Sequence, residues 1–130
     1  MPKKGFSEEF EHRRAPRSTK ILDVDCAVEK YPEDLYGEKA KLKVGDTFRA
    51  KTINVSETGV LINCDYLFPE RTILSLKIPG GKVTEEQIRL KASIAWTKRN
   101  AYKIFGRYAA GLHIIEAKKE DIKKLVEHFK

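Results

Sequence analysis

Thr47-Phe48-Arg49-Ala50-Lys51-Thr52-Ile53-Asn54-Val55-Ser56-Glu57-Thr58-Gly59-Val60-Leu61-Ile62 is the stretch on which the fold class turns. Residues 47–55 form an extended run and residues 59–63 a second one, with a polar hexapeptide, residues 54–59, at the junction. Asn and Ser side chains bond to nearby backbone and Gly tolerates φ > 0, so the junction reads as a tight turn between two strands. The same residues can also form a polar lip on a β-surface, with an amide, a hydroxyl and open backbone facing a ligand. The hexapeptide alone does not choose between the two.

Working outward, more strands appear at close spacing. In residues 20–28, Leu22, Val24, Cys26 and Val28 fall on one face, with Ile21, Asp23, Asp25 and Ala27 on the other, the period of a half-buried strand. Residues 71–78 alternate Thr72, Leu74, Leu76 and Ile78 against Ile73, Ser75 and Lys77. Pro79-Gly80-Gly81 turns the chain, and Ile88, Leu90, Ala92, Ile94 and Trp96 make the next inward row. Residues 98–101 read as a polar turn, and residues 102–115 return as one strand or two short ones. Short strands separated by turn residues point to a small antiparallel barrel or sandwich. At the end Ile122, Leu125, Val126 and Phe129 recur at helical spacing. They predict an amphipathic helix, with Glu120 and Asp121 at the end the dipole favours for acids.

The chain of 130 residues suits one domain, and 41% hydrophobic with 35% charged residues suits a soluble one. No apolar run approaches the ~20 residues that span a bilayer, and no apolar segment follows the charged N-terminus as a secretion signal would require. The cytoplasm is the expected compartment. Net charge is +7, from 26 basic and 19 acidic residues, which favours an anionic partner or simply keeps the protein soluble. Cys26 and Cys64 lie far apart without a CxxC, and each is expected as a reduced, buried thiol. His12, His113 and His128 lack metal-ligand spacing; no metal or cofactor is expected.

Residues 1–18 show neither strand nor helix period and carry Lys3, Lys4, Arg13, Arg14 and Arg17. They are expected to form a flexible basic arm, with a short helical turn behind Ser7 and a break at Pro16; residues 19–130 form the single folded domain. Residues 29–45 are charged and punctuated by Pro32, Gly37 and Gly45, which suits a long connection, read as a solvated insertion or a partner surface. Little speaks for catalysis. Asp23 and Asp25 share an outward face, where carboxylates are ordinarily solvated; Ser56 has no histidine near it in sequence; Gly80-Gly81 lacks the Lys-Ser/Thr of a phosphate-binding loop.

Three arginines within five residues, His12-Arg13-Arg14-Ala15-Pro16-Arg17, are a different matter. Guanidinium forks match phosphate oxygens and the O6/N7 edge of guanine, and their flat faces stack on bases. Arg13-x-x-x-Arg17 followed downstream by Asn54-x-Ser56-x-x-Gly59 resembles the PilZ family, whose signature is RxxxR and then [D/N]xSxxG. The likeness extends to Tyr108-Ala-Ala-Gly111-Leu-His-Ile114 and the final helix, covering the chain from about Glu11. It implies a six-stranded antiparallel β-barrel with a C-terminal α-helix, without enzymatic activity, that binds cyclic di-GMP. By position, Arg13 and Arg17 would grip phosphates and guanine faces, and Asn54 and Ser56 would hydrogen-bond guanine or phosphate. Gly59 would permit the turn and close approach of ligand. Arg14 would add charge, and His12, which precedes the first motif arginine, would bear on whether one ligand or a stacked pair binds. An effector protein would receive the signal as the arm orders over the barrel.

A second class of function remains: a basic β-barrel binding single-stranded nucleic acid on Trp96, Tyr102, Phe105 and Tyr108. The place of Trp96 in the inward row argues against it, since that row predicts core packing. A third is a PilZ-like adaptor that has lost its ligand, against which the intact arginines count.

Overall fold

Alternation decides the architecture strand by strand. In the computed structural model, which describes residues 21–32, 41–100 and 106–130, Leu22, Val24, Cys26 and Val28 are all buried, while Asp25 between them is exposed. They belong to β1 (Leu22–Lys30), followed by β2 (Thr47–Val55), β3 (Gly59–Cys64), β4 (Ile73–Ile78), β5 (Ile88–Arg99), β6 (Tyr108–Glu116) and helix α1 (Lys119–His128). The expected arm over residues 1–18 lies outside the described residues, as do residues 33–40 of the long connection and Tyr102 and Phe105.

The six strands close into a barrel in the order β1-β2-β3-β6-β5-β4, every pairing antiparallel. Closure leaves no unpaired sheet edge. The interior is filled by the rows expected from period two: Leu74, Leu76 and Ile78 from β4, Ile88, Leu90, Ala92 and Ile94 from β5, with Val60, Ile62 and Leu112 facing them. Their removal from water is the main driving force for the fold. On the outer face the acids of β1 are paired: Asp23 lies 2.5 Å from Lys51 Nζ and Asp25 3.0 Å from Arg49 Nε. Each pair joins direct cross-strand neighbours. These carboxylates thus have structural partners rather than one another.

Helix α1 follows β6 and lies against β2. Leu125 is fully buried in the barrel core, with Val126 and Phe129 packed beside it, as the helical spacing predicts. Both cysteines are free and buried.

Four strands carry one inserted residue each: Glu29 on β1 and Ile115 on β6 are two of them, and the other two bear on the outer face. On β2, Thr52 pairs with Ile62 but Asn54 pairs with Leu61, so Ile53 is an inserted bulge residue. On β5, Ile94 pairs with Leu112 but Trp96 pairs with Gly111, so Ala95 is another. A bulge shifts the phase of every residue beyond it. Trp96 is therefore not the last member of the inward row. It is half-buried, stands outside the core cluster, and faces outward with its partner Gly111. The strand also continues through Lys98 and Arg99, paired with Ala109 and Tyr108, where the polar composition predicts a turn.

Candidate functional site

The turn between β2 and β3 is built by Ser56. Its backbone N–H donates to the Gly59 carbonyl at 2.8 Å. Its hydroxyl accepts from the N–H of Gly59 at 3.1 Å and of Thr58 at 3.3 Å. Hydroxyl-to-backbone bonds of this kind substitute for a backbone turn. The Thr58 carbonyl accepts from the Ile114 N–H at 2.9 Å, tying the turn to β6. Gly59 opens β3 opposite His113 and is not among the glycines at positive φ, which among the described residues are Gly45, Gly81 and Gly106. The turn thus closes through the Ser56 hydroxyl and not through a left-handed glycine.

Asn54 sits one residue past the β2 bulge. Its neighbours Thr52 and Val55 point inward and are buried, so the bulge is what turns Asn54 to the outer face. Its Oδ1 accepts from the Val55 N–H at 2.8 Å, which fixes the amide and leaves Nδ2, the donor end, without a partner among the described residues.

Register carries the row onward. Asn54 pairs with Leu61, Leu61 with Gly111, and Gly111 with Trp96. This row crosses the outer face of β2, β3, β6 and β5, spanning ~14 Å at the usual strand spacing. Leu61 is only 6% exposed although it lies outside the interior cluster. The Trp96 indole covers Gly111 so closely that a Cβ at position 111 would overlap its Nε1 and Cε2. The site therefore combines a fixed amide donor, an aliphatic floor and an indole on one outer surface. Aromatic faces of this kind accept planar rings.

Arg13, Arg17, His12 and Arg14 lie outside the described residues. What is described is where their segment joins the barrel. Leu22, the first residue of β1, pairs with Thr52, two positions from Asn54. Arg17 is five residues before Leu22, a backbone reach of at most ~18 Å. Chain connectivity thus leaves the two halves of the motif within reach of one another.

The PilZ domain family model matches residues 11–130. The chain belongs to the PilZ domain family. No curated protein and no solved structure gives a match. Membership in the PilZ family implies, in general, reception of cyclic di-GMP, and the matched range takes in both half-motifs and the helix.

Within this PilZ domain two lysines stand beside the row. Lys51 and Lys98 stand at the two ends of the neighbouring outer row, Lys51–Asn63–Ala109–Lys98. The Lys51 ammonium, hydrogen-bonded to Asp23, holds that carboxyl below its ordinary range despite slight desolvation. Leu61, Gly111 and Trp96 are not legible as site residues in the sequence, because alternation alone sends Trp96 inward. Gly111, a residue without a side chain in the middle of an otherwise apolar strand, is the available signal. Among the described residues, no helix is long and apolar enough to cross a membrane.

Proposed function

We propose that this PilZ domain is a non-enzymatic receptor that binds cyclic di-GMP across the outer face of β2, β3, β6 and β5. The observation that carries the reading is the pairing of Leu22, at the start of β1, with Thr52, two residues from Asn54 and from the row that ends on Trp96. In this reading a guanine lies against the indole, with the Gly111 backbone behind it. Asn54 Nδ2 donates to a guanine or phosphate oxygen. Arg13 and Arg17 supply charge-assisted, bidentate contacts to the phosphates, with Arg14 and His12 as auxiliary groups. Ser56 and Gly59 act through the shape of the turn, since the hydroxyl already braces it. Engagement of the arginines orders residues 1–18 over the barrel, a segment-ordering switch, and the altered surface is read by an effector protein in the cytoplasm.

Calorimetry with cyclic di-GMP tests this directly. Saturable heat is expected at tens of micromolar protein, and its absence sinks the proposal. Arg17→Ala is expected to weaken binding by at least about tenfold, the loss of a charge-assisted contact, with an unchanged circular dichroism spectrum. Unchanged affinity removes the arginine clamp.

The outward position of Trp96 also favours a second reading, in which its indole stacks an unpaired base of single-stranded nucleic acid. A steep fall of oligonucleotide affinity with salt, in a protein that gives no heat with cyclic di-GMP, selects it.

A further inference from the structure

The opposite side of the barrel carries a second surface. In the strand order, β1 and β4 lie across from β6 and β3. Residues pointing outward here alternate with buried Cys26, Phe48, Leu76 and Leu90, and register sets them in two rows. One is Arg49–Asp25–Lys77–Arg89; the other is Thr47–Ala27–Ser75–Lys91. Two clefts, of about 580 and 530 Å³, open on this face and meet at Ser75 and Lys77. Small Ala27 and Ser75 leave a shallow floor between long cationic side chains.

The charges on this face are unbalanced at its centre. Asp25 is hydrogen-bonded to Arg49 at 3.0 Å, and Glu29 lies 4.0 Å from Lys91. Lys77 and Arg89, direct cross-strand partners, have no carboxylate within ion-pair distance among the described residues. With its amide oxygen turned toward it, Gln87 accepts from Arg89 Nε at 2.8 Å and Nη2 at 3.0 Å, which orients the guanidinium without neutralising it. Like charges directly opposite on neighbouring strands destabilise a sheet. Asp25, opposite Lys77 on β1, is engaged by Arg49, and local rules broken in this way concentrate at functional surfaces.

We infer that the Lys77–Arg89 seam, with the clefts on either side of it, is a docking surface for an acidic, extended segment of a partner protein. The mixed rim selects this occupant. Asp25, Glu29 and Glu116 border the clefts and repel a continuous line of phosphates, whereas a peptide sets carboxylates on the seam and donors against the rim. The closed barrel offers no strand edge, so recognition proceeds through side chains and not by strand addition. The Lys77–Arg89 seam lies on β4 and β5, across the barrel from Asn54 on β2, so the two sites are tested by separate substitutions.

The test uses the full chain and a fluorescein-labelled octapeptide alternating glutamate and serine, read by anisotropy at low ionic strength. Saturable binding is expected, weakened about tenfold or more by Lys77→Glu or Arg89→Glu, as for a charge at an interface centre. Lys124→Glu, the same charge change on the exposed side of α1, and Asn54→Ala are expected to change it less than about twofold. Absence of binding overturns the inference. So does an equal loss with Lys124→Glu, which would make net charge the cause. Tighter binding of a single-stranded oligonucleotide of equal charge, lost in Lys77→Glu, would overturn it in favour of nucleic acid.

Discussion

The indole of Trp96 covers the backbone of Gly111, its direct partner across β5 and β6, and leaves no room for a β-carbon there. This contact holds the only tryptophan of the chain on the outer face beside Leu61 and Asn54. Gly111→Ala is therefore expected to displace the ring. Tryptophan fluorescence should shift and cyclic di-GMP affinity should fall about tenfold, since stacking on one aromatic ring contributes ~1–3 kcal/mol. The far-ultraviolet circular dichroism should stay the same. An unshifted emission maximum would show that the ring does not depend on the glycine.

Ser56 braces its turn with bonds to two backbone N–H groups. Ser56→Ala is expected to cost ~1 kcal/mol of stability, the usual net value of such a hydrogen bond, measured by urea unfolding. Ser56→Thr retains the hydroxyl and should recover most of it. If Ser56→Ala weakens ligand binding without any loss of stability, the hydroxyl contacts the ligand directly.

Thr52 stands at the β2 bulge with its hydroxyl buried and, among the described residues, without a hydrogen-bond partner. An unsatisfied buried polar group costs ~1–3 kcal/mol, and replacing it by an apolar group of the same shape removes that cost. Thr52→Val should raise the urea midpoint. A lower midpoint would mean that the hydroxyl is satisfied by internal water.

The two thiols give a pH dependence of known sign. Burial pushes the Cys64 thiol up to about 11, with a backbone hydrogen bond at Tyr66 acting in the opposite direction. Burial, reinforced by Cys64 and Asp25, pushes Cys26 higher still. In the folded state both stay protonated while the unfolded chain ionises near its ordinary thiol range, ~8.5. The unfolded state then binds fewer protons, so stability falls as pH rises above that range. Denaturant midpoints between pH 8 and 10 should decline in the wild type and less so in a Cys26→Ala, Cys64→Ala variant. A thiol-reactive disulfide should label neither cysteine until the protein unfolds; fast labelling of the folded protein contradicts their burial.

The barrel itself is largely written in the alternation of apolar residues. Leu22 to Val28 and Ile88 to Ile94 sort by period two because each strand has one dry face, and register follows from that. The final helix is equally legible from Ile122, Leu125, Val126 and Phe129. Harder to read are the inserted residues Ile53 and Ala95. A bulge has no compositional signature, since the extra residue is an ordinary aliphatic one, and its effect appears only in the phase of the residues beyond it. Alternation places Trp96 inward for that reason. Asn54 and Ser56 are visible as a motif, but their division of labour, an outward amide beside an internal brace, depends on hydrogen bonds that no spacing encodes.

The bulges of β2 and β5 sit symmetrically, one on each strand flanking the β3–β6 pair, and between them they decide which side chains reach the outside. Register in β2 and β5 thus acts as an instruction in its own right. Removing Ile53 alone would leave Thr52 inward, Asn54 outward and Val55 inward in plain alternation, and removing Ala95 would likewise leave Ile94 inward and Trp96 outward, so either deletion keeps the recognition surface in place. In this fold it is the loss of a bulge with every residue kept that is a change of address for the site: plain alternation through Ile53 or Ala95 would carry Asn54 or Trp96 to the interior.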